Sequence, residues 1–231
     1  MKARDNPLAS DRILALVRYR PLGWTWNDLL ARLDAQQWRC AIVGPKGSGK
    51  TTLVEDLAER LTAAGRRWRM IRLSEEDGRI APGALRRLAR DEIVFVDGAE
   101  QLPLPRWLWL RWQTRRAAGL IVTTHSRGRL STLLETTTSP QLLHEILGDL
   151  LGCHAVSPAA AAALHARHGG NIRDALRELY DQFAGLDPSR DRAGALVHRL
   201  RHHVPHVQRL IAPPARRRQH GPPLPLGRPH I

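Results

Sequence analysis

Residues Gly44-Pro45-Lys46-Gly47-Ser48-Gly49-Lys50-Thr51 stand between a short apolar run, Arg39-Cys40-Ala41-Ile42-Val43, and a stretch of helical periodicity, Thr51 to Ala64. The octapeptide meets the pattern G-x-x-x-x-G-K-[ST] at every fixed position, and it lies where the mechanism of that pattern requires, after a strand and at a helix start. Its glycines let the backbone curl until successive N–H groups face one anion, and the helix N-terminus adds its positive end. The reading predicts a phosphate-binding loop made of Gly44, Pro45, Lys46, Gly47, Ser48, Gly49, Lys50, Thr51 and Thr52. Lys50 is expected to reach the terminal phosphates of a nucleotide, and the Thr51 hydroxyl to hold Mg²⁺. The chain has only three lysines, Lys2, Lys46 and Lys50, among many arginines, so a lysine at this place stands out.

Outward from the loop the pattern alternates strand and helix. An amphipathic helix is expected from about Asn27 to Gln37, with Leu29, Leu30 and Leu33 on one face. After the Thr51–Ala64 helix and its stop at Gly65, Trp68 to Leu73 alternates like a strand, and a short helix is expected around Ala84–Arg90. Ile93-Val94-Phe95-Val96 and Leu120-Ile121-Val122-Thr123-Thr124 are further apolar runs, separated by a helix over Arg106–Ala117. Strands without polar alternation, separated by helices, describe a parallel sheet covered on both faces. From Ser139 the rhythm becomes all-helical, with helices expected at about Pro140–Leu151, Pro158–His168 and Ile172–Ala184. The expected domains are an N-terminal segment over 1–38, a nucleotide-binding α/β domain over 39–138, a helical lid over 139–186 and a disordered Arg/Pro/His-rich tail over 187–231.

A loop that grips phosphate needs a carboxylate for the metal, and the end of a neighbouring apolar strand is the usual source. Asp97 closes Ile93–Val96 and is expected to hold Mg²⁺ together with Thr51. Glu100, three places on, is the candidate to polarise an attacking water; a plain solvated acid is the other reading. Thr124 and His125 lie at the tip of the strand between the two motif strands, where a polar group senses a terminal phosphate or caps the strand.

The order of these parts resembles a P-loop ATPase of the AAA+ type, near its STAND-like and origin-recognition-like relatives. The resemblance rests on GPKGSGKT (Walker A), IVFVDGAEQL (Walker B), the strand tip TTH, and SPAAAAALHARHGGNIRDALRELYD, and covers roughly residues 39–184. It implies an α/β P-loop NTPase sheet flanked by helices with a small C-terminal helical lid, ATP and Mg²⁺ as ligands, and ATP hydrolysis driving a molecular switch. Gly170-Asn171-Ile172-Arg173 resembles the family's lid turn, which makes Arg173 the candidate sensor arginine, and Lys50, Glu100, Thr124 and Arg173 the implied catalytic set. Read without the family, Arg173 is either a lid guanidinium that bridges phosphate oxygens or a surface residue paired with Glu178 or Asp174. The chain departs from the family's Asp-Glu pair: Gly98 follows Asp97, which points to slow hydrolysis. Arg115, Arg116, Arg127 and Arg129 flank the sensor strand, and none is assignable by motif as an arginine finger. Tyr19-Arg20-Pro21-Leu22-Gly23-Trp24 sits where such proteins often bind adenine, with Trp24 and Trp26 open to base stacking or to core packing.

Composition bounds the rest. The chain has 231 residues, 42% hydrophobic and 25% charged, the proportions of a globular chain rather than a fibrous or wholly disordered one. No apolar run is long enough to span a membrane, the first residues carry no secretory pattern, and two distant cysteines form no disulfide framework. A cytoplasmic location is the expectation. The formal charge is +14. From Arg190 to Ile231 nine arginines face one aspartate, so about +8 of that excess sits in the tail, too local to decide a nucleic-acid role for the folded part. Trp107-Leu108-Trp109-Leu110-Arg111-Trp112 makes a helix apolar almost all round, expected to be buried, with a partner or nucleic-acid surface as the alternative. An unidentified protein partner, nucleic acid at the tail and self-association are the candidate partnerships. A small phosphotransferase and a nucleic-acid-associated ATP-binding module are the alternative functions.

Overall fold

The computed structural model describes residues 18–21, 23–73, 78–152 and 156–184. The start of the N-terminal segment, Cys153 and the basic tail over 187–231 lie outside the described residues.

The first helix, α1 (Trp26–Ala35), begins at a reciprocal cap: Thr25 Oγ1 accepts from the Asp28 N–H at 3.2 Å, and the Asp28 carboxylate accepts from the Thr25 N–H at 2.8 Å. It buries Leu29 and Leu33. Strand β1 (Arg39–Val43) follows, then α2 (Lys50–Ala63), β2 (Trp68–Arg72), β3 (Ile93–Asp97), a single 3-10 turn (Ala99–Gln101), α3 (Leu104–Gln113), β4 (Gly119–Thr124) and β5 (Thr132–Glu135). The strands form one sheet in the order β2-β3-β4-β1-β5, and every pairing is parallel.

Alternate side chains of each strand go to opposite faces. Cys40, Ile42, Phe95 and Ile121 pack under α1 and α2 with Leu33, Leu53 and Leu57. Ala41, Val43, Val94, Val96, Leu120 and Val122 pack on the other face against Trp107 and Leu110 of α3. Both faces are covered, which is why these strands read as unbroken apolar runs. Burial pushes the Cys40 thiol up to about 12, which leaves it protonated and inert within this core.

Helices α4 (Pro140–Leu151), α5 (Pro158–Arg167) and α6 (Ile172–Ala184) have a core of their own, built on Leu143, Leu147, Ala161, Leu164, Ala175 and Leu179. The first two open on serine caps followed by proline: Ser139 Oγ accepts from Leu142 N–H at 3.1 Å, and Ser157 Oγ from Ala160 N–H at 3.2 Å.

Two local expectations are corrected, and one strand was not anticipated. Residues 84–90 form turns, not a helix, because Arg69 draws the carbonyls of Ala84 and Arg86 (2.7 and 3.0 Å) onto its guanidinium, and Arg87 adopts a φ of 51°. Strand β5 escapes the hydrophobic pattern, since it is a short edge strand with only Leu133 and Leu134 buried. Helix α3 is not buried all round: Trp107 and Leu110 are inside, whereas Leu104, Leu108, Trp109 and Trp112 face solvent.

The sheet leaves no room beneath Gly119, where an added Cβ would lie 2.6 Å from Trp38 Cβ and 2.8 Å from Trp38 O. Gly119→Ala is therefore expected to destabilise the fold by about 1–3 kcal/mol, read as a lowered urea midpoint. An unchanged midpoint would show that this approach is not tight.

Candidate nucleotide site

The loop after β1 is held in shape by packing that tolerates only glycine. A Cβ on Gly44 would sit 2.1 Å from Thr136 Oγ1, and Gly47 and Gly49 adopt φ of +76° and +85°. Ser48 is turned inward, donating to Pro45 O at 2.7 Å and sharing a 2.6 Å hydrogen bond with Thr136 Oγ1. The ammonium of Lys50, 8% exposed, donates to Gly44 O at 2.6 Å and Pro45 O at 2.8 Å. Two of its three donors thus brace the loop, and one remains for an anion. Desolvation lowers the Lys50 pKa, opposed by the nearby carboxylates of Glu100 and Asp97.

Asp97 and Thr51 come together as the sequence places them. Thr51 Oγ1 donates to Asp97 Oδ2 at 2.9 Å. The other carboxylate oxygen, Oδ1, accepts from Thr123 Oγ1 at 2.6 Å, and Thr123 in turn accepts from the Gly98 N–H at 2.9 Å. A hydroxyl and a carboxylate at the mouth of a phosphate loop form a hard-oxygen pair, the donor set that suits Mg²⁺ carrying water and phosphate on its other positions.

Gly98, with φ +85°, turns the chain into the 3-10 turn that carries Glu100 back to the cleft. Glu100 Oε1 lies 3.2 Å from His125 Nε2, while Oε2 is buried with no hydrogen-bond partner. A buried carboxylate oxygen without a partner is costly, which marks it as a group awaiting a donor.

The helical unit closes the cleft from the other side. Asn171 caps α6, its Oδ1 accepting from Asp174 N–H at 3.2 Å, and the same atom lies 1.9 Å from where a Gly47 Cβ would stand. Arg173, in the first turn of α6, lines the cleft near enough to Lys50 to lower its pKa. The acids that would make it an ordinary surface pair are engaged elsewhere: Glu178 with Arg167 (2.5 Å) and His168 (2.6 Å), Asp174 with Asn171 (2.6 Å). The cleft between sheet and helices measures about 900 Å³, and loop residues 46–52, Asp97, Glu100, Thr123, His125 and Arg173 all border it. That volume falls in the range of small-molecule sites.

Thr124 is placed differently from the expectation. Its hydroxyl donates to Ser126 O at 2.7 Å and does not border the cleft, because along β4 Thr123 and His125 share one face and Thr124 the other. Trp24 and Trp26 likewise pack away: Trp24 stacks on Tyr19 (5.8 Å between ring centres), and the Arg60 guanidinium lies 4.0 Å over Trp26. Tyr19 and Tyr180 both border the cleft, and burial raises the Tyr19 phenol pKa to about 12. Of the arginines near the sensor strand, Arg127 pairs with Glu135, Arg129 donates to Leu102 O, and Arg115 covers Trp112. The sequence reading placed Thr123, Tyr19 and Asn171 within motif segments but gave none of them a role of its own. The strand pairing accounts for the first: Val96 is in register with Val122, and the residues that follow them, Asp97 and Thr123, meet through the 2.6 Å hydrogen bond.

No protein-family model matches the chain, and no curated protein matches its sequence. Among solved structures it is similar to the Thermotoga maritima RuvB Holliday junction branch migration motor, at 21% identity and a TM-score of 0.50. The fold is AAA+-like. The match covers 76% of this chain and 66% of that one, just under two thirds, and a point variant of the same RuvB matches to the same extent. At this identity the likeness speaks for the fold.

Thr123→Val keeps the shape of β4 but removes one donor to Asp97 and the acceptor for Gly98 N–H. A stability loss of about 1–3 kcal/mol is expected by thermal melting in the absence of ligand. Wild-type stability in this variant would mean that the Asp97 carboxylate is held by Thr51 alone.

Proposed function

We propose that the chain binds ATP with Mg²⁺ and hydrolyses it slowly, acting as an AAA+-type switch whose lid, α4 to α6, responds to the terminal phosphate. The observation that carries this reading is the meeting, in one cleft, of the braced loop with Lys50, the Thr51–Asp97 pair, the unpartnered Glu100 oxygen and Arg173. Amide N–H groups of residues 46–52 receive the phosphate oxygens, and the free donor of Lys50 goes to the β- and γ-phosphates. Thr51 and Asp97 would hold Mg²⁺, which would supply positive charge to offset that of the phosphates. Glu100 orients a water and takes its proton as the water oxygen bonds to the γ-phosphorus and the bond to the β–γ bridging oxygen breaks. His125, 3.2 Å from Glu100, keeps that carboxylate turned to the cleft. Thr123, which borders the cleft where Thr124 does not, fixes Asp97.

Arg173 ties the lid to the nucleotide. A guanidinium at the start of α6 bridges phosphate oxygens and draws the helix toward the loop; after loss of the γ-phosphate that attraction weakens. Tyr19, neutral and aromatic at the rim, is positioned to face the base. A partner protein that reads lid position, self-association and a cytoplasmic location belong to the same reading. The phosphotransferase alternative differs in where the phosphoryl group goes.

Lys50→Ala is expected to weaken binding of a fluorescent ATP analogue by about 10- to 100-fold, the worth of a hydrogen bond to a charged group. Undiminished affinity would remove the loop from nucleotide binding.

Glu100→Gln is expected to retain ATP affinity while single-turnover release of inorganic phosphate slows by about 10²- to 10⁴-fold. Unchanged release would remove Glu100 from the chemistry, and radiolabel recovered on an acceptor instead of as phosphate would favour the phosphotransferase.

A further inference from the structure

Helix α3 packs on one face of the sheet with Trp107 and Leu110, yet its outer face is apolar too. Leu104 is 63% exposed, Leu108 52%, Trp109 45% and Trp112 57%. Leu104, Leu108 and Trp112 are four residues apart, so with Trp109 they form one stripe along the helix, roughly 140° wide at 3.6 residues per turn. On that projection Arg111 flanks the stripe on one side and Arg106 on the other, and exposed Arg115 and Arg116 follow at its end. No acidic residue occurs from Leu102 to Leu130. A contiguous apolar strip with a one-sign border is uncommon on a free surface and marks a place of contact.

From this arrangement we infer that the outer face of α3 docks an acidic amphipathic segment of a different protein. Charge decides among the occupants. The chain's own tail carries nine arginines against one aspartate, and a second copy docked face to face would bring arginines against arginines, so both are repelled. Single-stranded nucleic acid would need open aromatic faces for base stacking. The ring of Trp112 is already covered by the Arg115 guanidinium at 4.3 Å, and half of the stripe is leucine, which packs against apolar side chains. An incoming helix with leucine-like residues three and four apart and Asp or Glu beside them satisfies both the stripe and its arginine border. The site lies on the sheet face opposite α2 and stands independently of the nucleotide reading.

The test is selection of a random-peptide phage library on the wild-type protein, counter-selected on Leu108→Ser/Trp112→Ser. The enriched peptide is then labelled with fluorescein and titrated by anisotropy. Because the substituted side chains are solvent-exposed, the variant's melting curve should match wild type; Leu108→Ser alone serves if it does not. Enriched peptides are expected to combine apolar residues at helical spacing with Asp and Glu. Their affinity is expected to fall at least about ten-fold in the variant and to fall also in Arg111→Ala and at high salt. Enrichment without that pattern, no enrichment, or affinity indifferent to the variant would overturn the inference. So would a variant that loses fluorescein-labelled oligothymidylate binding, or self-association in sedimentation velocity, in place of peptide binding.

Discussion

One carboxylate ties the centre of this protein together. Asp97 ends β3, and each of its oxygens accepts from a threonine hydroxyl on a different element: Thr51 at the start of α2 and Thr123 on β4. Two short charge-assisted hydrogen bonds fix the helix that follows the loop against the two central strands. The loop itself is then held from the other side, where Ser48 and Thr136 meet and Gly44 leaves no space for a side chain. Lys50 folds back on the loop carbonyls and so shapes the cradle while facing Glu100 and Asp97. The donors are set in advance by the same contacts that stabilise the sheet.

Among the described residues, polar contacts fasten the helical unit to this centre and to the N-terminal segment. Asn171 rests on Gly47, while Arg20 reaches from the N-terminal segment to Glu145, at 2.6 Å, and to Asp149 on α4. The same segment is pinned to the sheet domain through Asp56, which accepts from the Tyr19 N–H at 2.6 Å and from Arg18 at 3.1 Å. Partly exposed ion pairs of this kind contribute little to stability, so they fix direction more than they add energy. A unit with its own core and a few polar fastenings is suited to moving as a body, which is what the proposed switch requires.

Much of the architecture was legible because it follows from periodicity. The apolar runs 39–43, 93–96 and 120–124 are strands, and all three lie centrally in the sheet in the neighbour order that places β4 between β3 and β1. The loop was legible because only glycine and lysine at that spacing satisfy the geometry of an anion cradle. Less legible were segments whose conformation is set by a distant partner. Arg69 captures the carbonyls of 84–86 and prevents the helix their composition favours. Strand β5 exists because β1 offers it an edge, with a register shift between Ala41 and Ile42.

The amino-acid sequence by itself determined which residues form β1 to β4, where the cradle lies, and that an acid, Asp97, stands opposite it; each follows from local spacing and side-chain type. Only the tertiary structure decided that Thr123 and not Thr124 borders the cleft, because β4 is buried on both faces and its polar residues carry no alternation to show which way they turn. It likewise decided that α3 buries Trp107 and exposes Trp109 and Trp112, since a helix apolar on every side contains no signal for the side the sheet will take. Arg173 is the same case: its neighbours Asp174 and Glu178 are adjacent in sequence, and what frees it for the cleft is that Asn171, Arg167 and His168 claim them in space.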